Sequence, residues 1–111
     1  KKFLTECGIV LNDFTWANLS NVGDFYWVNP KVECLKHHWD IVLNDWNKEE
    51  LIHIQIPANT FKNIERGTNG FYLRKDKTQY LDIRINSDTL VENKGMVDFK
   101  PYVINRYSYK S

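Results

Sequence analysis

Short runs of alternating apolar and polar residues recur along this chain, and the clearest pair lies in its second half. The runs Phe71–Arg74 and Tyr80–Ile85 flank the polar segment Lys75–Gln79, an arrangement that predicts a β-hairpin. Because a one-residue slip would exchange the two faces, the alternation also predicts the register, with Leu73 opposite Leu81. One face then carries Phe71, Leu73, Leu81, Ile83 and Ile85, and the other carries Tyr72, Arg74, Tyr80, Asp82 and Arg84.

Further alternating runs predict more strands. Trp39–Asn44 and Leu51–Ile56 form a second predicted hairpin. In its second strand, Ile52, Ile54 and Ile56 are predicted to point inward, and His53 and Gln55 outward. Pro57 has no amide donor and is expected to end the second strand. The remaining predicted strands are Phe3–Leu11, Phe14–Leu19, Phe25–Val28, Met96–Phe99 and Tyr102–Tyr107.

Two of these runs also predict where the strand lies in the fold. Phe25–Val28 is nearly all apolar, so we expect both of its faces to be covered. Pro101 separates the last two runs, and a proline at that position favours a sheet edge or a bulge.

Two short helices are predicted between the strands. Asn29 is suited to cap the first helix, and Pro30 at the first helical position loses no hydrogen bond. Val32 and Leu35 are three residues apart and would share the buried face of this helix. The second helix is predicted within residues 59–67, with a glycine at its end.

These elements predict a mainly β (β-rich α+β) fold, with seven or eight strands in a barrel, a pseudobarrel or a sandwich and two short helices. A length of 111 residues fits a single domain covering 1–111. The chain begins with Lys1 rather than Met, so we expect a fragment of a longer protein. We also expect no membrane span and a cytoplasmic protein whose Cys7 and Cys34 are reduced thiols.

The charge distribution is uneven, although the net charge is only +1. Residues 1–59 carry five lysines against eight acids, and residues 60–111 carry ten basic residues against six acids. Basic residues, interleaved with tyrosines, surround the first hairpin, and basic side chains can neutralise phosphates. A two-stranded ribbon also fits the major groove of duplex DNA. We therefore predict a DNA-binding module, and the candidate contacts are Lys62, Arg66, Asn69, Tyr72, Arg74, Lys75, Lys77, Gln79 and Arg84.

Other interpretations of the same residues stay open. The hairpin face is equally compatible with a solvated surface on which Arg74, Asp82 and Arg84 pair across the strands. Asp82 followed by Glu92 and Lys94 has the order of carboxylates and lysine found in Mg²⁺-dependent nucleases. A small-ligand or carbohydrate module would instead use the indole rings of Trp16, Trp27, Trp39 and Trp46.

Covalent and metal chemistry find little support in the sequence. Cys34 and His37 have a spacing that fits one helical turn, but the paired ligand knuckles of structural zinc sites are missing. There is also no nucleophile elbow and no phosphate-binding glycine loop. We therefore expect no cofactor, no metal and no catalytic centre in this domain.

Three segments, WDIVLND (Trp39–Asp45), HIQIPANTF (His53–Phe61) and FYLRKDKTQYLDIRI (Phe71–Ile85), resemble segments of restriction-endonuclease-associated proteins. The length and strand-rich pattern are similar to the B3-like pseudobarrel DNA-recognition domains fused to some of those enzymes. The resemblance implies recognition of duplex DNA by two loop-and-strand arms, with catalysis in another domain of the parent chain. It assigns no individual contact residue, and the near-neutral net charge departs from what strong non-specific DNA affinity requires.

Overall fold

The computed structural model describes residues 14–61, 71–76 and 79–109. Within these ranges the chain forms seven strands and two 3₁₀ helices. The strands are β1 (Thr15–Asn18), β2 (Phe25–Val28), β3 (Trp39–Asp45), β4 (Glu50–Ile56), β5 (Tyr72–Leu73), β6 (Leu81–Asn86) and β7 (Val103–Ser108). The helices are Val32–Lys36 and Lys100–Tyr102.

The described strands form two sheets that face each other around one main core. The first sheet has the order β1-β3-β4-β7, and the second has the order β2-β6-β5. A single bridge between Leu19 and Tyr26 connects the two sheets at one corner. The predicted mainly β fold is confirmed, and its sandwich form is the one observed, because the described strands do not close into a barrel.

The main core lies between the inner faces of the two sheets. Ile41, Leu43 and Ile54 from the first sheet are fully buried against residues such as Ile83 and Ile85 from the second. An aromatic group closes one side of this core. Its members are Phe61, Phe71, Phe99 and Tyr102, whose ring centroids lie 5.3 to 6.1 Å apart in the four closest pairs.

The second hairpin forms as predicted, with Ile41 opposite Ile54 and Leu43 opposite Ile52. Pro57 follows the last residue of β4, as expected. The outer face of this hairpin is less exposed than predicted, because the His53 side chain is buried and contacts the Asp40 carboxylate. Aromatic residues in and next to β1 and β7 cover this face. They are Phe14, Trp16, Tyr107 and Tyr109.

The first helix is shifted from its predicted start. It begins after Lys31, and the Asn29 amide donates to the Leu81 carbonyl at 2.9 Å instead of capping a helix. The Asn29 side chain, which the sequence analysis predicted as a helix cap, therefore hydrogen-bonds to β6 instead. Val32 and Leu35 both contact the core, which confirms the predicted buried face.

The strand β2 has one face that the sequence analysis assigned incorrectly. Tyr26 and Val28 are fully buried, but Trp27 is 48% exposed and Phe25 is partly exposed. Because β2 belongs to a sheet that is covered on one side only, alternate residues face outward. The expectation that both faces are covered is therefore wrong.

The end of the chain differs partly from prediction. Val103–Ser108 forms β7 at the edge of the first sheet, and Pro101 lies in the helix that precedes it, as expected for a proline near an edge. Met96–Phe99 is not a regular strand, although Asp98 makes one bridge to Val91.

Some predicted elements lie outside the described residues. They are the strand Phe3–Leu11 and most of the helix predicted within 59–67. In the described part of the chain, no helix has both the length and the apolar character that crossing a bilayer requires.

A buried hydroxyl gives the first testable prediction. Among the described residues, the Tyr26 hydroxyl is fully buried and has no hydrogen-bond partner. Burial, together with a smaller effect of the Asp45 carboxylate, raises the pKa of Tyr26. Removing an unsatisfied buried hydroxyl is favourable, so Tyr26→Phe is expected to raise the free energy of unfolding by about 1 kcal/mol at neutral pH.

The same tyrosine predicts how stability changes in alkali. In the unfolded chain Tyr26 loses its proton near the ordinary pKa of about 10, whereas the folded protein keeps it, so stability falls as the pH rises above that value. Tyr26→Phe should reduce this loss in urea titrations at pH 8 and pH 11. Tyr107→Phe is the control, because the Tyr107 hydroxyl accepts a hydrogen bond from Asn105, and its removal should not stabilise the protein. Equal effects of the two substitutions would contradict the prediction.

Candidate functional site

The predicted first hairpin is present with the predicted register. Leu73 lies opposite Leu81 and Tyr72 opposite Asp82, and the Arg74 amide donates to the Tyr80 carbonyl at 2.9 Å. The apolar face packs into the core, with Leu73 partly buried and the other members of that face fully buried. The polar face is therefore presented on the outside of the second sheet, as predicted.

Trp27 joins this outer face from β2. It lies directly opposite Arg84 in the antiparallel pairing of β2 with β6. The indole N–H donates a hydrogen bond to the Asp82 carboxylate at 2.9 Å, so the Trp27 ring lies over β6 of the first hairpin. The guanidinium carbons of Arg84 and Arg74 lie 5.4 and 5.9 Å from the centroid of the indole ring. These distances are within the range of cation–π attraction.

Asp82 lies at the centre of this arrangement. Its second carboxylate oxygen accepts a hydrogen bond from the Lys94 ammonium at 2.8 Å, and the Arg84 Nε lies 4.0 Å from the first. Partial burial disfavours the charged form of Asp82. The hydrogen bonds from Lys94 and Trp27 and the charge of Arg84 outweigh burial and hold the pKa of Asp82 below its ordinary range. Asp82 therefore remains ionised at neutral pH and anchors three neighbours.

Together these residues line an open groove of about 440 Å³, which we call the Trp27 groove. Its lining residues are Trp27, Tyr72, Leu73, Arg74, Lys75, Asp76, Asp82, Arg84 and Lys94. The four basic residues exceed the two acids, so the lining has a net charge of +2. The Lys94 ammonium also lies 5.4 Å from the centroid of the Tyr72 ring, which limits its motion.

The predicted contact residues are only partly brought together. Tyr72, Arg74, Lys75 and Arg84 line the Trp27 groove. Gln79 is exposed but does not line the groove. Four further predicted contacts lie outside the described residues, and they are Lys62, Arg66, Asn69 and Lys77.

Sequence reasoning missed Trp27 and Lys94 as members of this site. A signal for Trp27 was present, because Phe25 and Trp27 share one face of β2 while Tyr26 and Val28 share the other. Lys94 was grouped with Asp82 only in the nuclease interpretation, and in the structure it reaches Asp82 from a separate turn twelve residues later.

The nuclease hypothesis needs Asp82 and Glu92 on the same surface, and the structure separates them. Glu92 forms a bridge with Ile85, whose side chain faces the core, and the Glu92 side chain is fully buried. One Glu92 carboxylate oxygen accepts hydrogen bonds from the backbone amides of Lys94 and Gly95. Glu92 thus stabilises its own turn, while Asp82 lies on the exposed face among basic residues.

Two histidines contact the Asp40 carboxylate at the first sheet, away from the Trp27 groove. His53 Nε2 lies 2.9 Å from Asp40 Oδ1, and His38 Nε2 lies 3.7 Å from Asp40 Oδ2. Cys34 and His37 line a depression of about 180 Å³ next to His38 and Asp40. Among the described residues, no three His, Cys, Asp or Glu side chains are arranged to hold a metal ion.

The four tryptophans have different environments. Trp39 is buried and its indole N–H donates to the Thr15 hydroxyl, whereas Trp16 is half-buried. Trp46 is exposed at the tip of the β3–β4 turn, although its indole N–H donates to the Leu19 carbonyl.

Comparison with known proteins adds no relative. No family model, no curated protein and no solved structure matches this chain. The resemblance to B3-like domains therefore stays a prediction, and the function has to be argued from the groove itself.

Proposed function

We propose that this chain is a DNA-binding module that contacts duplex DNA through the Trp27 groove. The observation that carries the proposal is the pair of guanidinium groups, Arg74 and Arg84, placed over one exposed indole on the outer face of the three-stranded sheet. Arg side chains form bidentate hydrogen bonds with phosphate oxygens and with guanine edges. Side chains that are already ordered in the free protein lose less conformational entropy on binding than mobile ones. In this proposal the domain is not catalytic, and any cleavage by a larger parent protein belongs to another domain.

The groove favours phosphate contacts over base stacking. Proteins that bind single strands offer free aromatic faces to successive bases. The guanidinium groups of Arg74 and Arg84 already occupy positions over the Trp27 ring, which leaves less of the ring for a stacked base. The exposed lysine Lys75 lies beside them and adds a further charge that can follow a phosphate backbone. These features support duplex DNA rather than a single strand.

Fluorescence anisotropy with a labelled random 20-base-pair duplex tests the proposal. Each neutralised phosphate contributes about 0.9 to the negative slope of log K against log salt, so two to four contacts predict a slope of about −2 to −4. The same oligonucleotide as a single strand should bind more weakly. Selection of bound duplexes from a random pool then shows whether the protein prefers a particular DNA sequence. An absent or salt-independent interaction at 50 mM salt would overturn the proposal.

A second candidate function rests on a separate surface of the first sheet. Trp16, Asn44, Leu51 and Tyr109 line an open groove of about 260 Å³. The Trp16 indole and the Asn44 amide both donate to Asn18 Oδ1, and the Tyr109 hydroxyl donates to Asn44 Oδ1 at 2.7 Å. Aromatic rings beside neutral amides suit the faces and hydroxyls of sugar rings.

A glycan array separates the two candidates. If the sugar function is correct, the protein binds a glycan, and Trp16→Ala abolishes that binding while Arg84→Ala leaves it unchanged. If the DNA function is correct, Arg84→Ala weakens duplex binding and Trp16→Ala leaves it unchanged.

A further inference from the structure

Arg74 is held by an acid from its own hairpin. The Arg74 Nε and Nη2 atoms donate to the two carboxylate oxygens of Asp76 at 2.9 and 2.7 Å. This two-point geometry uses the same edge of the guanidinium that a phosphate group uses. Asp76 therefore occupies, within the protein, the position that a DNA phosphate would take at Arg74.

The two acids of the Trp27 groove differ in exposure to solvent. The Asp82 side chain is only 16% exposed and contacts Trp27, Arg84 and Lys94. The Asp76 side chain is 62% exposed and lies in the segment that connects β5 and β6. Water and salt screen the attraction in an exposed ion pair, so a phosphate can compete with the Asp76 carboxylate for Arg74.

We propose that Asp76 acts as an internal competitor that regulates access of phosphate to Arg74. This inference rests on the proposed DNA-binding function and deepens it. In the free protein the Asp76 carboxylate covers the binding edge of Arg74, and a phosphate of the ligand displaces it on binding. The competition lowers affinity for ligands that place a phosphate at Arg74, because they must displace Asp76, and it leaves ligands that do not use Arg74 unaffected.

Removing the competitor should strengthen binding. Asp76→Asn is expected to increase duplex affinity roughly two- to fivefold, which is the range that breaking an exposed ion pair allows. Asp88→Asn is the matched control, because it removes the same charge from an exposed turn at the other end of β6. At physiological salt, charges more than about 8 Å apart are largely screened, so the control should change affinity much less.

The experiment compares the wild type, Asp76→Asn and Asp88→Asn by anisotropy with the random duplex, at several salt concentrations. A tighter complex for Asp76→Asn than for Asp88→Asn, with a salt slope steeper by up to about one, supports the inference. Where the wild type binds the duplex, equal affinities of the two variants, or weaker binding by Asp76→Asn, overturn it. Thermal unfolding of each variant checks that the fold is retained.

A second measurement does not depend on DNA. Pyrophosphate is titrated into the ¹⁵N-labelled protein, and the Nε–H signal of Arg74 is followed after its assignment by loss in Arg74→Lys. Half-saturation at a roughly two- to fivefold lower concentration in Asp76→Asn than in Asp88→Asn supports the competition. Equal half-saturation overturns it.

The two measurements separate failure of the function from failure of the competition. If the wild type does not bind duplex DNA but pyrophosphate shows the difference, the proposed function fails and the competitor role stands. If duplex DNA binds and neither measurement distinguishes the two variants, the proposed function stands and the competitor role fails.

Discussion

Replacing Arg84 with alanine is expected to weaken duplex DNA binding about tenfold, or about 1.4 kcal/mol. The Arg84 guanidinium lies over both Trp27 and Phe25 and near Asp82, and these contacts hold it in the Trp27 groove. Losing one phosphate contact should also make the salt dependence shallower, by about 0.9 in slope. Affinity measured by anisotropy across a salt series gives both values.

Two further variants make this prediction specific. Arg84→Lys keeps the charge but loses the planar group that stacks on the two rings, so its affinity should fall between those of the wild type and Arg84→Ala. Arg106→Ala removes the same charge from β7 in the other sheet, where Arg106 pairs with Glu50 at 3.0 Å, and it should bind like the wild type. Equal losses for Arg84→Ala and Arg106→Ala would show that net charge, rather than the groove, governs binding.

Replacing Glu92 with alanine is expected to lower the free energy of unfolding by about 2 to 4 kcal/mol. The Glu92 side chain is fully buried, and its carboxylate accepts the amides of Lys94 and Gly95. Alanine would leave both amides without this acceptor and would create a cavity beside the turn. Urea unfolding followed by tryptophan fluorescence measures the change. Because the turn also positions Lys94, the contact of Lys94 with Asp82 should weaken as well.

Glu92→Gln provides the informative comparison. It keeps a carbonyl oxygen that can accept both amides, so it should cost less than half as much as Glu92→Ala. Glu33→Ala removes an exposed acid from the first 3₁₀ helix and should change stability by no more than about 0.5 kcal/mol. A small effect of Glu92→Ala would show that the amides find other acceptors. In that case the account of Glu92 as a turn-stabilising residue would be wrong.

The amino-acid sequence determined the features that depend on local pattern. The alternation of Tyr72 with Leu73 and of Leu81 with Asp82 fixes both the faces and the register of the first hairpin, because a slip would bury charged residues. The same reasoning gave the second hairpin, with Ile52, Ile54 and Ile56 on the core face. Pro57 ended β4 because it has no amide donor. Each of these predictions uses residues that are neighbours in the chain.

The tertiary structure alone decided how distant elements meet. The parallel pairing of β1 with β3 has no local signal in the sequence. This pairing places Phe14 and Trp16 on the outer face of the second hairpin. The Asn29 amide pairs with Leu81, 52 residues away, rather than with its own helix. The hydrogen-bond partner of a side chain depends on which distant residues the fold brings close to it, and local sequence preferences do not predict those residues.

The candidate site divides in the same way. The sequence placed Tyr72, Arg74 and Arg84 on one exposed face, because period-two alternation in a strand requires it. The indole of Trp27, which lies 55 residues from its hydrogen-bond partner Asp82, enters the site only through the pairing of β2 with β6. Lys94 enters through a turn held by a buried carboxylate. The charged face was thus determined by local pattern, and the groove that makes it a candidate binding site was determined by non-local packing.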